Sequence, residues 1–331
     1  GKAFEIYDQN VKGPNIFNKL PNKKKLNSYE MVYLSPGINI KRIYANGEFD
    51  KIAYLTDIDI FFQEDRSYKI GITGTNGKST CCYHLHQLLE ESQLVGNIGA
   101  PVLDNINFCR YSIIELSSFQ LEKVKEVNLD FGVLLNISPD HIDHHLNFEE
   151  YKKVKNRIKE SKKITEESDP RKLWSMITGK PQRLLRDIKL KDLPHRHQRI
   201  VTKDQMVFIN DSKATNLNAL KFALNKMSNP YVLILCGDPD KEQYESYEIV
   251  GPTKVYIFGN HAKAISRKIS HPEKILLHDQ GLSSVMRCIF KEKYDSQTHV
   301  LFSPGHPSGQ DYKNFEERGD HFVKLVTSSY D

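Results

Sequence analysis

The sequence predicts an α/β protein built on parallel sheets, and three observations carry that prediction. Short apolar runs alternate with stretches of helical spacing from Lys69 onward, an order that yields strand–helix–strand units with right-handed crossovers. A glycine-rich turn, Gly74-Thr75-Asn76-Gly77-Lys78-Ser79-Thr80, lies between an apolar run at Tyr68–Ile72 and a helix expected from Lys78 to about Glu91. Polar residues gather where apolar runs end, and open α/β sheets bind ligands at the carboxyl ends of their strands.

A length of 331 residues leaves room for two or three domains. Lys and Arg outnumber Asp and Glu by 47 to 42, which fits anionic small-molecule ligands or a solvated surface. Lys23-Lys24-Lys25 is too short a basic run to indicate nucleic acid. The five cysteines (81, 82, 109, 236 and 288) form no Cys-x-x-Cys pair, as in a reduced, cytoplasmic protein. No apolar run is long enough to span a membrane, and the polar N-terminal stretch carries no signal-peptide core.

In residues 1–66, Val32–Leu34 reads as a strand ending at the turn Ser35-Pro36-Gly37, and Ile52–Phe62 as a strand and short helix. Asn15–Asn27 reads as a loop. Beyond the glycine turn, Tyr83, Leu85, Leu88 and Leu89 give the helix an apolar face. Asn97-Ile98-Gly99 is a turn. Tyr111–Glu115 is a buried strand delivering an acid at its end. Phe131–Ile137 is another strand, followed by Ser138-Pro139-Asp140-His141. A helix is expected from Phe148 to about Lys163, with a capping-box-like start at Asn147. Residues 164–193, charged and containing Pro170 and Pro181, read as a linker with a short amphipathic helix near Leu184–Ile188. A second α/β region follows. Its strands are Val207–Ile209, Tyr231–Cys236, Lys254–Phe258, Lys274–Leu277 and His299–Phe302, with helices at about Asn216–Met227 and Asn314–Thr327.

The glycine turn has the context of a phosphate site, in which backbone N–H groups and a helix N-terminus face an anion. Lys78 would reach the outer phosphates and the Ser79 hydroxyl would ligate Mg²⁺. The strict spacing G-x-x-x-x-G-K-[ST] is not met, because Ile72 stands where its first glycine belongs and Gly71 is one place early. Glu115 reads either as a Mg²⁺ ligand opposite this loop or as a capped or ion-paired acid. In Asp140-His141-Ile142-Asp143-His144-His145, one histidine near the site is expected to be functional, and His144 and His145 read as exposed loop residues. Oxygen ligands for Mg²⁺ fit this setting better than zinc. Lys155 shares a helical face with Tyr151 and by itself reads as a surface lysine. Arg196 could grip a phosphate or form a surface ion pair. Asn210-Asp211-Ser212-Lys213-Ala214-Thr215-Asn216 again has the strand-to-helix layout of an anion site, or of a capped helix start.

In chain order, Gly74–Thr80, Glu115-Leu-Ser-Ser-Phe-Gln-Leu-Glu122, Asn136-Ile-Ser-Pro-Asp-His-Ile-Asp143, Tyr151–Ile158, Leu193-Pro-His-Arg196, Asn210–Asn216 and Asn314-Phe-Glu-Glu-Arg-Gly319 resemble the motifs of the Mur ligases. The segment Glu115–Glu122 is most similar to the family's D-glutamate-adding branch. The resemblance implies a three-domain Mur ligase-like architecture: a truncated N-terminal Rossmann-like domain for the UDP substrate (1–66), a shortened central P-loop ATP-binding domain (67–193) and a C-terminal Rossmann-like domain (194–331). A monomer that binds neither nucleic acid nor membrane is expected. It implies an ATP-dependent amide-forming ligase of peptidoglycan precursor synthesis. ATP would phosphorylate the carboxylate of UDP-N-acetylmuramoyl-L-alanine, and the amine of D-glutamate would attack the acyl phosphate.

On this resemblance Gly74, Thr75, Asn76, Gly77, Lys78, Ser79 and Thr80 bind ATP with Arg196 and Asp211. Ser79, Glu115, His141 and a carbamylated Lys155 hold two Mg²⁺. Lys213 joins Lys78, His141 and Lys155 in catalysis. Ser35, Pro36, Gly37, Asn97 and Thr215 contact substrate, and Lys241, Ser308 and Phe315 form the D-glutamate pocket.

Several departures from the family accompany these matches. The glycine-rich start of the first domain and the His-Asn-x-x-Asn motif have no counterpart, and the stretch from Ile158 to Leu193 is short. Gly237-Asp238 replaces Gly-Gly, Gln310 replaces an Asp, and His197-Gln198 follows His195-Arg196. These departures open a second reading, an inactive remnant that binds nucleotide only. A folylpolyglutamate synthase is a third, against which Ser117-Ser118-Phe119-Gln120 argues.

Overall fold

The computed structural model describes residues 4–8, 11–13, 15–38, 53–239, 246–278, 280–292, 294 and 297–328. The chain divides into two compact units, Gly1–Ile188 and Lys189–Asp331.

The first unit is organised on five parallel strands: β1 (Tyr68–Thr73), β2 (Ser92–Gly96), β3 (Tyr111–Glu115), β4 (Phe131–Leu134) and β5 (Ile164–Thr165), in the order β2-β3-β1-β4-β5. The near-continuous apolar character of β1, β3 and β4 suits strands covered on both faces. Strand order reverses at β1, so the crevice at its carboxyl end is flanked by the ends of β3 and β4. That is the switch point where such sheets bind ligands.

Gly71 explains itself here. A Cβ on it would lie 2.3 Å from Leu129 Cδ1 and 3.2 Å from Ile158 Cδ1. It is a packing glycine inside β1, not a member of the phosphate loop.

Upstream of β1, Val32–Tyr33 pairs in parallel with Tyr54–Leu55. Helix α1 (Asp57–Glu64) then starts on a full capping box, Thr56 with Asp59. Its Ile58, Phe61 and Phe62 pack into the same core as Ile114, Leu121 and Leu129. The strand expected from Ile52 therefore begins, in its described part, at Tyr54. Asn15–Asn27 is not all loop, since it contains the short helix Lys23–Leu26 with Leu26 buried.

Helix α2 (Lys78–Leu88) ends before Glu91, because the chain must turn to enter β2, which the sequence pattern did not reveal. Beyond Glu115, α3 (Ser118–Lys123) opens on the capping box of Ser117 and Gln120. The strand expected to run to Ile137 stops at Leu134. After it, Asn136–Ser138 leaves the sheet to bond the glycine loop. Helices α4 (Ile142–His145) and α5 (Phe148–Asn156) follow, and α5 tightens to a 3₁₀ turn at Arg157–Glu160 instead of reaching Lys163.

The linker reading of 164–193 is corrected for much of its length. It contains β5, helix α6 (Pro170–Thr178) and a 3₁₀ turn at Gln182–Leu185. Pro170 starts α6 instead of breaking it: proline at N1 loses no helical bond, Asp169 caps the first turn, and Gly179 ends the helix in the left-handed region. Leu173 and Trp174 are buried.

The main sheet of the second unit has six strands: β6 (Gln198–Val201), β7 (Val207–Asn210), β8 (Tyr231–Leu235), β9 (Lys254–Gly259), β10 (Lys274–His278) and β11 (His299–Phe302). Their order is β6-β7-β11-β8-β9-β10, and only β6 is antiparallel to its neighbour. The edge strand β6 was not legible in the sequence. Helices α7 (Leu217–Asn225), α8 (Ala262–Lys268), α9 (Leu282–Glu292) and α10 (Phe315–Ser328) complete the unit. Two apolar cores result, one centred on Phe208, Phe258, Phe302 and Phe322, the other on Leu220, Leu233 and Ile257.

Candidate active site

The glycine loop joins β1 to α2 and is tied from below by the segment after β4. Thr75 N donates to Asn136 O at 2.9 Å, and Asn76 and Asn136 exchange two further bonds of 2.9 Å. Thr75 Oγ1 meets Ser138 N at 3.0 Å and the Tyr151 hydroxyl at 3.0 Å. Gly74 has φ +157° and would carry a Cβ only 3.0 Å from Leu135 Cβ, so the loop lies too close to its support for a larger residue. Gly77, the N-cap of α2, is left-handed and supplies no side-chain cap. The first N–H groups of α2 have no intrahelical acceptor, which leaves Lys78, Ser79 and Thr80 at an anion-binding helix end. Lys78 Nζ donates to the carbonyls of Gly74 and Thr75, each at 2.8 Å. Ser79 is buried.

Glu115 stands in register with Ile72 of β1 and Gly96 of β2. It is 1 % exposed. Its Oε1 accepts from Asn97 Nδ2 at 2.8 Å, whereas its Oε2 has no hydrogen-bond partner. An unpartnered buried carboxylate oxygen is costly unless a cation meets it. Asn97, expected to touch substrate, thus also orients this acid.

Lys155 is buried, against the plain reading of a surface lysine. Its Nζ donates to Thr73 Oγ1 at 2.9 Å and Gly74 O at 3.0 Å. Burial first, and the Lys78 charge second, hold its pKa well below the usual lysine value, which favours the neutral amine. Tyr151, one turn earlier on α5, is buried beside it, and burial pushes its hydroxyl up to about 12. Thr73 and Tyr151 are site residues that the sequence reading missed as such. The shared helical face of Tyr151 and Lys155 was the available signal. Arg157 caps the end of α3, donating to the carbonyls of Leu121, Val124 and Lys125 at 2.6, 2.6 and 2.9 Å.

His141, left-handed at φ 51°, precedes α4. Its ring packs on Phe119 at 5.0 Å, and its Nε2 lies 3.6 Å from Asp140. His144 and His145 are not exposed loop residues. His145 is 3 % exposed, and burial lowers its imidazole to about 4. His144 is half-buried against Glu122. Phe119 gathers all three histidine rings, which turns α4 inward. At the turn after Tyr33, the buried Lys123 of α3 donates to Pro36 O, and Ile38 N closes onto Ser35 O at 3.3 Å. Gly37 lies in this turn with open space where a Cβ would stand.

In the second unit, loops after β7, β8 and β11 converge at the carboxyl edge. Asp211 accepts from Ser303 Oγ and His197 N, each at 2.9 Å, and burial pushes its pKa up to about 6. Lys213 Nζ sits 3.8 Å from the centre of the Phe315 ring, so two expected site residues meet. Thr215 precedes the N-cap Asn216 of α7. Arg196 is half-buried, its backbone N donating to Leu193 O. Ser308 is half-buried beside Pro307, whose carbonyl accepts from Asp238 N at 2.9 Å. Lys241 lies outside the described residues. Arg318, given no role by the sequence reading, is fully buried and donates to Ser212 Oγ, Ser212 O and His306 O at 3.0, 2.7 and 3.1 Å. Gly319 admits His195, whose Nδ1 would be 2.2 Å from an added Cβ.

The Mur ligase middle domain model matches residues 72–168. A UDP-N-acetylmuramoylalanine–D-glutamate ligase of Francisella tularensis is 31 % identical, covering 91 % of this chain and 86 % of the relative. The chain belongs to the Mur ligase family. Its likeness to the ligase of the same name from Buchnera aphidicola is 29 % identity over 90 % of this chain and 84 % of that one. The Francisella alignment runs over 362 positions, more than the chain has residues, so the relative carries segments that this Mur ligase lacks. Among solved structures, a MurF ligase from Thermotoga maritima in complex with ADP matches with TM-score 0.54 at 13 % identity, over 98 % of each chain. E. coli FolC in complex with DHPP and ADP matches with TM-score 0.52 at 11 % identity, over 83 % of this chain and 92 % of that one. These last two establish the shared fold.

Proposed function

We propose that this Mur ligase couples ATP cleavage to the joining of D-glutamate to UDP-N-acetylmuramoyl-L-alanine, a cytoplasmic step of peptidoglycan precursor synthesis. The observation that carries the reading is the buried, half-satisfied Glu115 at the switch point, beside an uncapped helix N-terminus and a buried amine whose pKa is lowered. The names of the relatives in Francisella and Buchnera supply the substrates. No described helix is long and apolar enough to cross a membrane.

In this reading the α2 N-terminus receives the phosphates, and Lys78 turns from the Gly74 and Thr75 carbonyls to the β- and γ-phosphate oxygens. The open Oε2 of Glu115 and the Ser79 hydroxyl suit a Mg²⁺ ion, with His141 and Lys155 serving a second. When bound, such ions neutralise phosphate charge as it moves. In its neutral form, which burial favours, the Lys155 amine can attack CO₂ and lose a proton, giving a carbamate anion in place of a cation. The substrate carboxylate then attacks the γ-phosphorus and ADP leaves. The D-glutamate amine adds to the acyl phosphate, and phosphate departs as the amide forms. Holding the reactants in line and matching their charge supplies most of the rate.

Residues 1–66 serve the UDP substrate through Ser35, Pro36 and Gly37, with Asn97 contributing from the ATP domain (67–193). In the C-terminal domain (194–331), Arg196 and Asp211 are the candidate ATP-binding residues. Lys213 and Thr215 serve the acyl phosphate, and Lys241, Ser308 and Phe315 serve D-glutamate. The inactive-remnant alternative rests on the sequence departures, and the retained Lys78, Ser79, Glu115 and Lys155 weigh against it. The test is phosphate release with ATP, UDP-N-acetylmuramoyl-L-alanine and D-glutamate. Release that requires all three supports the reading; release indifferent to D-glutamate, or none, overturns it.

A further inference from the structure

Next to the phosphate loop, three side chains converge that the ligation chemistry leaves unused. Glu122 on α3 and His144 and His145 on α4 each offer one ligand atom, and the three atoms lie within 4.8 Å of one another. His144 Nε2 is 2.8 Å from Glu122 Oε2. A plain hydrogen bond between these two accounts for them but not for His145. That imidazole is 3 % exposed, yet its Nε2 has no hydrogen-bond partner. A buried ring nitrogen left unpartnered is destabilising, and such groups call for a specific explanation.

The rings are also held in place. Phe119 packs against His144 at 4.4 Å and His145 at 5.8 Å, and the two histidines meet edge to face at 4.7 Å. Two imidazoles and one carboxylate are a borderline donor set. They suit Zn²⁺, Co²⁺ or Ni²⁺, whereas Mg²⁺ prefers an all-oxygen octahedron. Bonds of roughly 2.0–2.2 Å place tetrahedral ligand atoms about 3.3–3.6 Å apart, so small side-chain rotations close the set. Three protein ligands leave a fourth position for water.

We propose that Glu122, His144 and His145 form a site for a single Zn²⁺-class ion, built from residues other than those expected to hold Mg²⁺. Its effect is mechanical. The ion ties α4 to α3, and α4 directly follows the Asn136–His141 segment whose hydrogen bonds hold the glycine loop. The site does not rest on the ligase reading, and substrate turnover does not enter its test.

The experiment titrates the full chain with Zn²⁺, and in parallel with Co²⁺ as a spectroscopic probe, in excess Mg²⁺. One ion per chain is expected, with Co²⁺ showing visible d–d absorption and no thiolate charge-transfer band. His145→Ala and His144→Gln should each weaken binding roughly tenfold or more, since even outer-shell losses cost 10–100-fold. The Gln can still donate to Glu122, so His144→Gln decides the matter if His145→Ala fails to fold. The proposal is overturned if the wild-type chain takes up no ion under these conditions. It is equally overturned if His144→Gln binds as wild type, or if a thiolate band places the ion on cysteine.

Discussion

The carboxyl edges of the two main sheets in this protein are built on different principles. Around the glycine loop, buried polar groups are left with capacity to spare: Glu115 Oε2 has no partner, Lys155 is a desolvated amine, and α2 has no side-chain cap. At the carboxyl edge of the second unit, the central polar side chains are tied to one another or to the loops. Arg318 donates three bonds, Asp211 accepts two, and Lys213 rests on Phe315. The first edge stores unmet electrostatic demand that a charged ligand can answer; the second spends its polar groups on shaping loops. Removing a polar group should therefore cost activity at the first edge and stability at the second.

The largest effect is expected from Lys155→Met, which keeps volume and removes the amine. Ligation should fall by about 10³-fold or more, with melting temperature unchanged or raised because a desolvated polar group is gone. Lys155→Ala should behave likewise and recover partly with short carboxylates, as phosphate release can measure. A stable variant with normal activity would remove Lys155 from the site. Glu115→Gln should lower kcat by about 10²-fold and raise the Mg²⁺ concentration needed for half-maximal rate. Its fold should tolerate the change, because the bond from Asn97 can persist to the amide oxygen. A loss of stability with unchanged Mg²⁺ dependence would make Glu115 a structural acid.

Arg318→Met should do the reverse. Taking donors from Ser212 and His306 should destabilise the second unit by about 2–3 kcal/mol, read from urea unfolding, with a smaller effect on the first unit's nucleotide affinity. The smallest effect concerns Asp211, whose folded-state pKa is raised from 3.8 to about 6 by burial. The protonated form is favoured in the folded state, so this stabilising contribution is fully present below the unfolded value and is lost as pH rises through about 6. Asp211→Asn should therefore be modestly more stable than wild type at neutral pH. If the carboxylate binds ATP, wild-type kcat/KM for ATP should fall as pH drops through about 6, and the variant should show a flat, lower profile.

Legibility followed the kind of signal each element carries. β3 and β11 were readable to the residue, because apolar strands bounded by polar turns stand out at short range. Pro170 was misread as a breaker since proline at N1 and proline in a loop look alike without knowing that α6 buries Leu173 and Trp174. β6 and β2 escaped because an edge strand is half polar. His144 and His145 were taken as exposed because nothing local says that Phe119, more than twenty residues earlier, collects their rings. Gly71 looked like a displaced phosphate-loop glycine until its closeness to Leu129 was visible.

The order of the motifs by itself determined the α/β class, the location of the phosphate loop and the family resemblance, since these depend on residues close together in the chain. Tertiary structure alone decided which charges are buried and which atoms lack partners. The unpartnered Glu115 Oε2 and His145 Nε2 and the lowered pKa of Lys155 follow from burial, and burial depends on neighbours that the chain brings together only when it folds.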